Sequence, residues 1–147
     1  IKEAIEDHRS SKEEEPRSTY GKLISSADRN TRIEIVFIRS FFVGKRKNPD
    51  QLISDYLDYT FNRLTKRYSE ENSENMFYAD ETYEELSDKY ESLESDDKIS
   101  YELFLEAQKT LPKEAKFQSL YFASQCALAM YNQNSEDNWL KNAIFIS

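Results

Sequence analysis

A chain of 147 residues is long enough for one domain with a real core and too short for two of ordinary size. Charged residues make up 33% and hydrophobic ones 38%, but ten Tyr, nine Phe and one Trp supply enough apolar area to exclude a disordered chain. The formal charge of −8 excludes general binding to nucleic acid, whose phosphates call for basic surface, and a lone Cys126 excludes an internal disulfide and fits a reducing cytoplasm.

Two Gly and three Pro leave few positions for tight turns or helix breaks, so the expected class is all-α. Ala4, Ile5 and His8 recur at helical spacing, and Ile1–His8 reads as the end of a helix. Because it opens on Ile1 without a Met, the chain is expected to be a fragment of something longer. Residues 9–18, with Glu13-Glu14-Glu15-Pro16, read as a loop. Helix resumes at Ser18 or Thr19, where Leu23, Ile24 and Ala27 share one face. Asp28 continues that stripe and is expected to be buried with it.

The run from Thr31 to Gly44 is rich in Ile, Val and Phe, yet its length and terminal Gly44 favour a buried helix over a strand. Lys45-Arg46-Lys47-Asn48-Pro49 reads as a basic, solvated loop. Pro49 suits the first turn of the next helix, with Asn48 as its cap. Leu52, Ile53, Tyr56, Leu57, Thr60, Phe61, Leu64 and Tyr68 recur at three and four, predicting a helix over 49–69. Its Leu52, Tyr56, Leu57, Phe61 and Leu64 are expected to pack against the helix over 32–43.

After a polar break at 69–75, residues 81–93 read as a short acidic amphipathic helix around Tyr83, Leu86, Tyr90 and Leu93, with Glu84, Glu85, Asp88 and Glu91 toward solvent. The acidic run Glu94-Ser95-Asp96-Asp97 marks a change of composition. Beyond it, Leu103, Phe104, Ala107 and Leu111 predict a helix closed by Pro112. A second, from Phe117 to Tyr131, carries small residues that permit close contact, and Cys126 within it reads as an inert core thiol. A turn at 132–135 precedes a last helix over 139–146. No apolar run reaches the roughly 20 residues of a membrane span and no signal peptide is visible, so a cytoplasmic location and no membrane partner are expected.

The chemistry-bearing residues gather near the amino end. His8, the only histidine, and Asp28 are candidate ligands for a divalent metal. Arg9, Lys12, Arg17, Lys22 and Arg29 are candidate phosphate contacts, a task for which the planar guanidinium is well shaped. A purely structural reading is open for each. Asp28 could pair with Arg32 one helical turn on, and the cations could balance Glu13, Glu14 and Glu15.

Asp7-His8-Arg9, Ser11-Lys12, Pro16-Arg17-Ser18, Tyr20-Gly21-Lys22 and Ala27-Asp28-Arg29 follow in order between residues 7 and 29. In that order they resemble the second half of the motif in a bacterial branch of the HD-domain metal-dependent phosphohydrolases. The resemblance covers residues 1–93 and leaves 94–147 as a helical extension of unassigned affinity. It implies a partial HD-like helical bundle in which Asp28 closes the site of a divalent ion (Mn, Fe, Ni, Zn or Mg). It implies further that His8 assists a second ion or the phosphate, and that Arg9, Lys12, Arg17, Lys22 and Arg29 face a nucleotide or other small phosphorylated substrate. The family's first histidine and His-Asp pair do not occur in these 147 residues, so hydrolase activity is expected of the intact protein and not of this chain alone. The alternative is a non-catalytic helical interaction or regulatory module that keeps part of the HD scaffold. Either way, apolar faces are expected to be covered by oligomerisation or by residues 98–147.

Overall fold

The computed structural model describes residues 1–8, 14–29, 32–69, 76–90 and 95–146, with the backbone alone at Thr82, Phe145 and Ile146. Every regular element among the described residues is α-helical, as the low Gly and Pro content predicts. The helices are α1 (Lys2–Asp7), α2 (Thr19–Arg29), α3 (Ile33–Lys47), α4 (Ile53–Arg67), α5 (Glu81–Tyr90), α6 (Asp97–Gln108), α7 (Lys113–Asn134) and α8 (Asp137–Ile146). No helix among the described residues is long and apolar enough to cross a membrane. The chain forms two compact units, one of residues 1–32 and 63–93 and the other of 33–62 and 94–147.

Side-chain caps set several of the helix starts. Ser18 Oγ accepts from the Gly21 N–H at 3.1 Å to open α2. Asp80 accepts from the Tyr83 N–H at 2.8 Å to open α5, and Asp96 accepts from the Ile99 N–H at 2.8 Å to open α6. Each satisfies one of the N–H groups that a helix start leaves without an intrahelical partner. At the other end of α7, Ser135 adopts a left-handed φ of 54° and returns its N–H to the Tyr131 carbonyl.

The second unit is built on rings. Phe41 lies 5.0 Å from Phe104, 4.7 Å from Phe122 and 5.7 Å from Tyr56, all edge-on. Phe37 lies 4.8 Å from Phe104 and 6.1 Å from Phe61. The expected packing of α4 on α3 is therefore seen at Tyr56 and Phe61. Ala107 on α6 and Ala123 and Ala127 on α7 are fully buried, and Ser119 Oγ of α7 donates to the Phe104 carbonyl of α6 at 2.8 Å. Without that bond, the buried Ser119 hydroxyl would be a desolvated polar group.

Three expectations about this unit are corrected. Gly44 does not end α3, which continues through Lys45, Arg46 and Lys47. A Cβ at Gly44 would stand 2.7 Å from the Tyr59 ring, so the glycine is there to let α3 and α4 approach. The cations of that last turn complement the helix dipole, and Lys45 Nζ sits 4.9 Å above the Phe122 ring. Asn48 and Pro49 do not open α4 either. Asp55 accepts from the Leu52 N–H at 3.1 Å, half of a capping box, and helix begins at Ile53. The Tyr56 hydroxyl donates to the Asn48 carbonyl at 2.6 Å and accepts from the Gln51 N–H, which pins the 48–51 turn in place. Leu52 thus precedes the helix and is 72% exposed, outside the core expected for it.

In the first unit, Tyr68 lies 5.6 Å from Tyr83 and 6.2 Å from Tyr90, all three buried. Ser87 Oγ donates to the Tyr68 carbonyl at 2.9 Å, tying α5 to the chain just beyond α4. Glu84, Glu85 and Asp88 face solvent, as the period predicts, while Glu91 and Leu93 lie outside the described residues.

Phe104 has no exposed surface and three ring neighbours, Phe37, Phe41 and Phe122. Phe104→Ala is expected to lower unfolding free energy in urea by about 3–5 kcal/mol. Burial, with Asp97 adding to it, pushes the Cys126 thiol up to about 12. At pH 8 its reaction with iodoacetamide is therefore expected to be very slow in the native protein and complete once the chain is unfolded in urea.

Candidate functional site

The described candidate residues lie just after α1, at the start of α2 and within it, so what joins these two helices decides where the chemistry sits. Asp7, only 4% exposed, ends α1. Its Oδ2 accepts from the Arg17 backbone N–H at 3.1 Å and from Arg17 Nε at 2.9 Å, while Oδ1 accepts from Nη2 at 3.1 Å. The fork meets the carboxylate in two parallel bonds and leaves Nη2 to reach Glu6 at 2.9 Å. Hydrogen bonds from Asp7 and Glu6 hold the Arg17 guanidinium above its ordinary pKa. Arg17, expected at a phosphate, uses its backbone N–H, Nε and Nη2 to join α1 to the start of α2.

Next in the chain, Ser18 caps α2, and Gly21 sits where a Cβ would come 3.1 Å from Pro16 and 3.6 Å from Asp7. Pro16, Arg17, Ser18 and Gly21 thus form one joint around the Asp7 carboxylate. Lys22 extends it by pairing with Glu15 and resting 4.9 Å from the Phe77 ring centroid. Arg9 and Lys12 lie outside the described residues.

The helix so anchored is turned opposite to expectation. Leu23, Ile24, Ala27 and Asp28 do share one face, together with Tyr20, but that face points outward: Tyr20 is 72% and Leu23 52% exposed. Gly21, Ser25, Ser26 and Arg29 occupy the inward face. The expectation that Asp28 is buried is corrected accordingly; it is exposed. The reversal is stable because the inward polar groups find partners. Ser26 Oγ accepts from the Tyr78 N–H at 3.1 Å, and small side chains at Gly21, Ser25 and Ser26 admit close neighbours.

His8 stands half-buried just after α1, its Nδ1 hydrogen-bonded to the Ile5 carbonyl. Only a protonated Nδ1 can donate there, which leaves Nε2 with the lone pair that a metal would need. Among the described residues no three His, Cys, Asp or Glu side chains gather closely enough to hold an ion. Asp28 and His8 therefore offer at most part of a coordination sphere.

Arg29, next to the exposed Asp28, is only 5% exposed. Burial lowers its pKa; the nearby Arg67 lowers it further, while Tyr83 and Asp28 act in the opposite sense. Arg67 Nη2 donates to the Asp28 carbonyl at 2.7 Å. The approach of Arg67 to the end of α2 was not legible in the sequence, since Arg67 lies more than 35 positions from Asp28 and within a stripe that reads as ordinary helix.

The chain matches no protein-family model, and comparison with curated proteins and with solved structures likewise finds no match.

The joint at Asp7 generates a direct expectation. Asp7→Asn keeps the shape of the side chain but removes the charge that organises Arg17, and it is expected to lower the melting temperature clearly. Arg17→Lys, which keeps a charge without the fork, is expected to recover only part of the wild-type value in a thermal scan.

Proposed function

We propose that this chain is part of an HD-superfamily metal-dependent phosphohydrolase, acting on a nucleotide or another small phosphate ester, with Asp28 as a metal ligand. The observation that carries the reading is the outward turn of α2, which sets the Asp28 carboxylate at the end of the exposed Tyr20, Leu23, Ile24 and Ala27 stripe. A carboxylate at the border of an uncovered apolar face can be met by further ligands brought from outside these residues. His8, with Nε2 available, is the second donor, and a carboxylate with an imidazole suits a divalent ion. Such an ion would activate water and polarise a phosphoryl oxygen. The motif residues that surround the two donors support the reading from another side: Asp7, Pro16, Arg17, Ser18 and Gly21 hold the helices that carry them.

A non-catalytic interaction module is the second reading, and the exposed stripe on α2 favours it independently of any metal. The two separate by experiment. On the phosphohydrolase reading, Asp28→Ala abolishes phosphate-ester hydrolysis by the intact protein with little change in melting temperature, because the side chain is exposed. His8→Ala reduces turnover less. The 147-residue chain alone binds Mn weakly, since two donors leave most of the sphere to water. Full turnover by Asp28→Ala in the intact protein refutes the assignment. Tyr20→Ser with Leu23→Ser then decides the interaction reading, by whether self-association or partner binding is lost in sedimentation.

A further inference from the structure

We propose that α7 is the seam of a homodimer, in which two copies of this chain lay the Phe117, Tyr121 and Leu128 faces of that helix together in antiparallel register. The inference concerns the second unit alone. It rests neither on Asp28 binding a metal nor on the exposed stripe of α2.

Residues 117–135 contain no Asp, Glu, Lys or Arg, the longest uncharged run in a chain of which one residue in three is charged. Nearly all of that run belongs to α7. The fold accounts for one side of the helix, where Ser119, Phe122, Ala123 and Cys126 are buried. It does not account for the other. At about 100° per residue, Phe117, Tyr121 and Leu128 fall within about 40° of one another and roughly opposite that buried side. They are 62%, 58% and 38% exposed. Apolar residues scattered singly over a surface are ordinary. Three on one line, with the uncharged Gln118, Gln125 and Asn132 beside them, have the charge-poor, aromatic composition of an interface centre.

The spacing makes this stripe complementary to itself. An antiparallel pair with its two-fold axis between Ser124 and Gln125 sets Tyr121 of one copy opposite Leu128 of the other, and symmetry repeats the contact. Ser124, at the middle, is small, and its hydroxyl donates back to the Tyr121 carbonyl at 2.7 Å, so it presents little bulk or polarity to a neighbouring helix. The same register brings Lys113, at the start of α7, to Glu136, just past its end; both are exposed.

Charge also selects the occupant. Lys113, Glu114 and Lys116 give the start of the helix a net positive charge, and Glu136 and Asp137 make its far end negative. Antiparallel copies set opposite charges together at both ends of the seam, whereas parallel copies would set like charges together. With 22 residues, the helix is about 33 Å long. A seam of that length lies at the small end of specific interfaces, so the dimer is reversible.

The test is sedimentation equilibrium of the 147-residue chain from about 1 to about 200 µM. A reversible monomer–dimer equilibrium is expected. Tyr121→Glu with Leu128→Glu is expected to be monomeric throughout, with unchanged helical circular dichroism because both side chains face outward. Tyr20→Ser with Leu23→Ser, in the first unit, leaves the dimer as it is. Lys113→Glu and Glu136→Lys alter no apolar contact. Each is expected to weaken its own homodimer about tenfold, and an equimolar mixture of the two to recover wild-type affinity, since every end of the mixed pair again joins opposite charges. Any of four results overturns the proposal: a monomer at every concentration, a dimer that survives the double glutamate variant, a dimer lost with Tyr20 and Leu23, or charge variants that match the wild type alone or fail to recover on mixing.

Discussion

Aliphatic side chains are scarce in this sequence, and the cores are made of rings instead. Phe41 illustrates the consequence in the second unit, where it meets Tyr56, Phe104 and Phe122 edge-on and Phe37 in a stacked arrangement. Alanine and glycine fill the approaches between them, at Gly44, Ala107, Ala123 and Ala127. In the first unit the rings are tyrosines, and a tyrosine brings a hydroxyl inside with it. An interior that has already admitted the hydroxyls of Tyr68 and Tyr83 is polar enough to take Ser25, Ser26 and Arg29 from α2 as well.

That polar interior accounts for the outward turn of α2. Asp28 and Arg29 are neighbours in the chain, but successive helical residues stand about 100° apart, so one can meet solvent while the other is enclosed. The joint around Asp7 determines which does which. Arg17 forked onto Asp7, Ser18 capping the helix and the absence of a side chain at Gly21 hold the first turn of α2 against α1. Asp7, Pro16, Arg17, Ser18 and Gly21, five of the motif residues between 7 and 29, build that joint. His8 and Asp28 stand at its margins, where chemistry with a ligand from outside is open to them.

The same region shows how differently its cations are engaged. Arg17 and Lys22 are cations beside acids, and both are engaged by Asp7, Glu6 and Glu15. Arg29 is different because burial removes water as its partner, and because a second guanidinium approaches from α4. Position in the fold, and not residue type, separates these cations from one another.

Composition and period by themselves determined the all-α class, the approximate places of the helices, the packing of Tyr56 and Phe61 on α3, and the buried state of Cys126. They determined equally that Leu23, Ile24, Ala27 and Asp28 share a face, since that follows from 3.6 residues per turn. Which way the face looks was decided only in three dimensions. A period groups residues without a sign, and the usual rule of apolar inward fails where the opposite face carries small and polar groups that the interior can satisfy. Gly44 and Pro49 misled for a related reason: their local preferences for a helix end and a helix start were weaker than the contact of Tyr59 with α3 and the Asp55 cap at Leu52. The hydrogen bond from Arg67 to the Asp28 carbonyl joins residues distant in the chain, and nothing short of the folded arrangement brings them into reach.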